Sequence, residues 1–200
     1  MKLKEDSCPI CGRLTRSYGL CKDCMDLINK DPHYYYDIDG LDDLIVSSTY
    51  SGLMRRLIID FKFKGKLSYK EIISEIMLEK ILEKNLKDEV ITFVPMHRKK
   101  ERERGYNQSE ILAREIAKSL DLKCEEVFEK VLDTKYQVGL EKLEREDNLK
   151  GAFRVKTFPQ EIIVIDDVIT TGSTIKELTK IAKDAGIKKV TALIAATEIA

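Results

Sequence analysis

Two groups of residues in this 200-residue chain have types and spacing suited to chemistry. The first is four cysteines in "CPIC" and "CKDC", namely Cys8, Cys11, Cys21 and Cys24. Two Cys-x-x-Cys turns can bring four thiolates around one tetrahedral zinc. Gly12, directly after the second cysteine, permits the tight turn that such a knuckle uses. A redox pair or two unrelated turns would be the competing explanation, and the spacing favours zinc. Closed four-cysteine sites are structural, so the metal is expected to fold this segment and take no part in catalysis. Cys124 stands alone and reads as a small buried apolar residue.

The second group lies in "EIIVIDDVITTGSTIKELTK", where Asp166 and Asp167 end an apolar run and a hydroxyl-rich turn follows at once. An apolar run of this kind is a strand buried on both faces, and ligands of such sheets sit outside the carboxyl ends of the strands. Gly172 lets backbone approach an anion, and hydroxyls of Thr170, Thr171, Ser173 and Thr174 add donors. The unpaired N–H groups of the helix beginning near Ser173 favour a phosphate. Carboxylates accept from sugar hydroxyls. A phosphorylated ribose would satisfy both halves. The chain has no G-x-x-x-x-G-K-[ST] and no G-x-G-x-x-G after a strand, which disfavours P-loop and dinucleotide-binding readings. A receiver domain carries its Asp pair near the start of the chain, whereas this pair comes late. A simple helix cap would need only one acid.

The elements that must position these groups follow from composition and periodicity. Hydrophobic residues make up 43% of the chain, enough for a core, and 35 basic residues balance 35 acidic ones, so no global field points to nucleic acid or membrane. No apolar run approaches the roughly 20 residues of a membrane span. The N-terminus lacks the apolar stretch of a secretory signal, so a cytoplasmic protein is expected. Residues 1–32 are too few for a core and need their metal; residues 33–200 form the second unit, entered through the linker-like "NKDPHYYYDIDG". "DDLIVSSTY" reads as a strand. In "SGLMRRLIIDFKFKG", Met54, Leu57, Ile58 and Phe61 recur at helical spacing behind a Ser51 cap. A helix over about 69–86, the strand "EVITFVP", the helix "NQSEILAREIAKSL", a strand in "LKCEEVFEKV", the "IIVID" strand, its helix and "KKVTALIAA" complete an α/β alternation. That order implies a parallel sheet covered on both faces. The charged stretch 133–150 is long for a connection and reads as a binding loop or lid.

"IIVIDDVITTGST" resembles the 5-phosphoribosyl-1-pyrophosphate (PRPP) motif of type I phosphoribosyltransferases. Together with "CPICGR…CKDC", "YSGLMRRLIIDFKFKG", "VPMHRKKERERGYNQSEILA" and "TKYQVGLEKLEREDNLKGAF", in chain order, it is similar to the ComF family of competence-associated proteins. The resemblance covers nearly the whole chain. It implies the type I phosphoribosyltransferase fold, a parallel sheet flanked by helices with a small hood, and a PRPP and Mg²⁺ site at the strand ends. It also implies a bacterial setting and a link to uptake of transforming DNA.

By that resemblance, Asp166 and Asp167 would hold the ribose 2′- and 3′-hydroxyls and stabilise positive charge developing on the ring. Thr170, Thr171, Gly172, Ser173 and Thr174 would cradle the 5′-phosphate. The loop "MHRKKERERG" is the natural pyrophosphate site at a neighbouring strand end, with His97, Arg98, Lys99 and then Arg104 as candidates. Lys100 and Arg102 read better as solvated surface, and a nucleic-acid patch is a third reading of the same charges. In "GYNQSE", Asn107 is expected to cap a helix, with Glu110 returning the bond and Tyr106 packing beside it. Lys62 reads equally as a phosphate contact or a snorkelling surface lysine. Thr134, Gln137, Arg145 and Asn148 match polar positions of the family's lid block, although Lys130 and Leu132 stand where the family often has arginines.

Phosphoribosyl transfer to an unknown acceptor with release of pyrophosphate is the leading expectation. A non-catalytic accessory factor, binding single-stranded DNA or a competence helicase and using PRPP only as a ligand, is the alternative. A homo-oligomer is compatible with either.

Overall fold

A computed structural model describes residues 6–15, 19–82, 89–132, 149 and 151–198. The lid candidates Thr134, Gln137, Arg145 and Asn148 lie outside these residues. A two-stranded antiparallel pair, β1 (Asp6–Ser7) and β2 (Leu14–Thr15), opens the described chain, followed by the one-turn helix α1 (Lys22–Met25). Then come β3 (Asp43–Val46), α2 (Gly52–Phe63), α3 (Tyr69–Ile81), β4 (Val90–Phe93), α4 (Arg98–Arg104) and α5 (Gln108–Leu120). β5 (Phe128–Lys130) and β6 (Phe153–Val155) pair antiparallel, and β7 (Glu161–Ile169), α6 (Ser173–Asp184) and β8 (Lys189–Thr197) finish the fold.

The four central strands lie in the order β3-β8-β7-β4 and every pairing is parallel, as the alternation of elements implies. Side chains alternate across such strands, so β7 and β8 feed two cores. Ile163, Ile165, Leu193 and Ala195 face α2, α3 and α5, while Ile162, Val164, Val190, Ala192 and Ile194 face α6 and the β5–β6 pair. Burial on both faces explains why these strands are continuous apolar runs. Met54, Leu57, Ile58 and Phe61, the helical stripe of α2, are all 0% exposed. Complete burial of each such side chain contributes roughly 1.5–3 kcal/mol.

Local details depart from the simple sequence reading. Ser51 occupies the cap position of α2, yet its hydroxyl pairs with Thr49 Oγ1 at 3.0 Å instead of the helix. The "HYYYDIDG" stretch is no free linker. Tyr34 OH donates to Leu44 O at 2.9 Å, and Tyr36 OH lies 2.6 Å from Thr197 Oγ1 at the end of β8. Cys8, Cys24 and Ile28 are buried in the same apolar cluster as α2 and α3. No helix among the described residues is long and apolar enough to cross a membrane.

Candidate functional site

The sheet edge creates the site. β7 stays paired with β8 as far as Ile169 opposite Thr197, but its pairing with β4 ends at Phe93 opposite Ile165. Past Ile165, among the described residues, β7 has no strand beside it on the β4 side, and Asp166 and Asp167 fall in that gap. The sequence placed the acids at the strand's end; the structure carries the strand on through Val168 and Ile169 because β8 continues to support it.

Each acid has distinct surroundings. Asp166 Oδ1 accepts from Ser109 Oγ at 2.7 Å, and from the Asp167 backbone N–H at 2.9 Å. Asp167 is 3% exposed, and Lys62 Nζ spans its two oxygens at 2.9 and 2.7 Å. Burial, with the adjacent charge of Asp167, pushes the Asp166 carboxyl up to about 7; Lys62 and the Ser109 hydroxyl work against that rise. Burial pulls Lys62 down, but attraction from Asp167 and Asp166 outweighs it, and the ammonium is held above its ordinary range. A carboxyl raised in this way can donate when protonated and accept when ionised, beside an ion-paired carboxylate that only accepts.

Three residues beyond β7 the chain turns into α6. Gly172 has φ +77°, a left-handed conformation that glycine adopts without strain, and precedes the first helical residue. A Cβ there would lie 3.2 Å from Tyr36 Cδ1 and 3.4 Å from Ile38 Cδ1, so the turn is also packed from outside. Thr171 Oγ1 and Ser173 Oγ are 2.6 Å apart, and Ser173 N–H points at Thr171 Oγ1 at 3.4 Å. Thr170 and Thr174 flank them, each half-buried. The N–H groups of the first turn of α6 have no carbonyl four residues back within the helix, a feature that suits an anion. The five residues expected at the phosphate are thus contiguous around one turn, separated from the acids by Val168 and Ile169.

The expected basic loop is a helix. Residues Arg98–Arg104 contain strong helix formers and no breaker, and Gly105, at φ +91°, ends them. His97 is the cap of α4, accepting weakly from Lys99 N–H at 3.4 Å. Arg98 and Lys99 are exposed on α4. Arg104 is the member whose charge acts on Lys62, the acids' partner; its guanidinium lies 5.1 Å from the Phe63 ring centroid, and Nη1 donates to Gln108 Oε1 at 2.5 Å. Asn107 caps α5 as expected, with Ser109 N–H donating to its Oδ1 at 3.1 Å and its own Nδ2 donating to Val94 O at 3.0 Å. Glu110 does not return the bond; Arg114, one turn on, draws it away at 2.7 Å. Tyr106 packs on Phe61 with ring centroids 5.8 Å apart.

Near the N-terminus, one Sγ from each of Cys8, Cys11, Cys21 and Cys24 lies within 4.8 Å of the other three, and the group could hold a metal ion. Cys8 N–H donates to Arg13 O at 2.8 Å and Gly12 N–H to Cys8 O at 2.9 Å, closing a tight knuckle at Gly12, φ +77°. Burial opposes ionisation of Cys8, yet backbone groups of Cys21, Cys11 and Ile10 lower its thiol to about 6. Burial and the neighbouring thiols push Cys24 up to about 12. Cys124 is half-buried, and burial raises its thiol.

No family model matches the chain. Among characterised proteins, Competence protein F of Haemophilus influenzae is 27% identical over 94% of this chain and 88% of the relative. Competence protein ComFC of Streptococcus pneumoniae is 26% identical over 94% and 80%. Both relatives are similar to the chain over most of its length, in keeping with the resemblance to the ComF family. The DNA utilization protein YhgH of Escherichia coli O6:H1 is a further relative, 28% identical over 87% of this chain and 76% of its own. Two solved structures superpose more loosely. An allosteric regulatory enzyme of purine biosynthesis matches at TM-score 0.40 and 16% identity, over 62% of this chain and 24% of that one. A Trypanosoma cruzi hypoxanthine phosphoribosyl transferase matches at 0.34 and 12%, over 82% and 71%.

Three residues of this candidate site were not legible as such in the sequence. Lys62 divided evenly between surface and site. Ser109 was hidden in a segment whose capping role explained it. Tyr36 belonged to an apparent linker. No spacing rule ties positions 36, 62 or 109 to 166–172, since each arrives from a separate element.

Proposed function

We propose that this chain binds PRPP and acts as a phosphoribosyltransferase-like protein, a glycosyltransferase on pentosyl groups, in the handling of DNA during competence. The observation that carries the proposal is the continuity of the site: paired acids in the gap beside β7, then a glycine turn and helix N-terminus one short step along the same chain. The acids would hold the ribose hydroxyls and the turn its 5′-phosphate. Arg104, with His97, Arg98 and Lys99 on the adjoining helix, would draw the pyrophosphate. Displacement at C1 develops positive charge on the ring, which a carboxylate pair stabilises. Mg²⁺ suits the oxygen-rich ligand and would supply charge neutralisation on its phosphates.

Zinc is proposed for the thiol cluster, a structural ion folding residues 1–32 ahead of the unit 33–200. The names of the relatives, two for competence and one for DNA utilization, support the biological setting. They equally favour the second reading, an accessory factor that contacts single-stranded DNA or a helicase and uses PRPP as a ligand. Calorimetry with PRPP and Mg²⁺ tests ligand binding. A pyrophosphate-release screen across nucleobases and ammonia tests turnover, with Asp166→Asn/Asp167→Asn as control. Binding without release in every arm selects the accessory reading; no binding at all refutes both.

A further inference from the structure

We propose that Lys62 is a specificity-determining residue that makes the diacid site favour pentose ligands bearing a C1 diphosphate over those carrying only a 5-phosphate. The inference rests on the phosphoribosyl reading above and deepens it. Lys62 Nζ bridges both oxygens of Asp167, at 2.9 and 2.7 Å, and with that residue only 3% exposed the ammonium competes with any sugar hydroxyl for the carboxylate. No hydroxyl can replace it unless the ammonium moves. The Lys62 side chain is only 19% exposed, so a displaced ammonium is not simply released to water. A desolvated cation without a partner is costly, and its loss from Asp167 must be offset by another anion.

The two classes of ligand differ in supplying that anion. In the phosphoribosyl reading a 5-phosphate would lie at the Gly172 turn, at the start of α6, and would leave the ammonium stranded. A C1 diphosphate adds a second anion at the opposite end of the sugar. The cation set toward that diphosphate by the phosphoribosyl reading is Arg104, whose charge already works against Lys62 and whose guanidinium is 5.1 Å from the ring of Phe63, the next residue. A diphosphate between Lys62 and Arg104 would turn their repulsion into shared attraction.

The surroundings restrict the movement to the side chain. Phe61 is 0% exposed, and its carbonyl accepts from Tyr106 OH. Asp60, 2% exposed, grips Lys64 and Lys66 at 2.8 Å each, and hydrogen bonds from those lysines bring its carboxyl down to about 2. The backbone is thus fixed on both sides of Lys62, and its four-carbon stem must carry the ammonium from Asp167 to the new anion.

Titration calorimetry on the full-length protein with Mg²⁺, using ribose 5-phosphate and PRPP as the two ligands, tests this. In Lys62→Met, ribose 5-phosphate should bind about tenfold more tightly and PRPP about tenfold more weakly, so discrimination falls about 100-fold. Lys62→Gln, which still donates to Asp167 without a charge, should shift the same way and carries the comparison if Lys62→Met does not fold. A merely structural lysine would move both ligands by one factor, and that result, or no change, overturns the inference while leaving PRPP binding intact. A wild-type protein that binds neither ligand removes the phosphoribosyl reading and this inference together.

Discussion

Replacing Asp166 by Asn should remove a pH dependence of folding from the ligand-free protein. In the unfolded chain this carboxyl titrates near its ordinary value of 3.8; in the fold it titrates near 7, raised by burial and by Asp167. Between those values unfolding releases a proton, so stability falls as pH rises from about 4 to 7 and levels off above. A displacement from 3.8 to about 7 corresponds to about 4 kcal/mol at most. Asp166 retains some solvent contact, which screens the effect to roughly 2 kcal/mol. Urea unfolding at pH 5 and pH 8, which takes in about two thirds of that window, should therefore show wild type losing roughly 1 kcal/mol more than Asp166→Asn. Equal pH slopes for the two proteins would refute the placement of this acid in a buried, charge-paired gap. The same titration has a functional face: ribose hydroxyls donate to the ionised form, so PRPP affinity should rise from pH 6 to 8 more steeply in wild type than in Asp166→Asn.

Other perturbations probe other parts of the argument. Gly172→Ala puts a Cβ on a φ of +77° and 3.2 Å from Tyr36, so a loss of about 1–2 kcal/mol in thermal unfolding and weakened PRPP binding are expected. Adding Tyr36→Ala should restore only the steric part. Phe61→Ala empties a fully buried site beneath Lys62 and should cost about 3–5 kcal/mol by urea unfolding. Cys24→Ser should lower bound zinc from about one equivalent to near zero by elemental analysis, and chelation should expose the N-terminal segment to proteolysis.

Much of this protein was legible without coordinates. The apolar runs at β4, β7 and β8 could only be strands covered on two faces, and the stripe Met54, Leu57, Ile58 and Phe61 could only be a buried helix face. The thiols and the Asp-Asp-to-Gly172 stretch were readable because their members are close in sequence, where backbone geometry alone sets their spacing. The basic segment was misjudged as a loop: its charges suggested solvent, yet Arg, Lys and Glu are good helix formers, and Gly105 supplied the stop. What only the tertiary structure decided was contact between distant elements. The β4 pairing stops at Ile165, four residues before β7 itself ends, and that difference opens the gap holding the acids. Into it α2 delivers Lys62 and α5 delivers Ser109, while Tyr36 packs against the Gly172 turn from a stretch that composition marks as linker. Sequence order sets which residues are neighbours along the chain; which charge meets which carboxylate depends on how strands stop and helices pack.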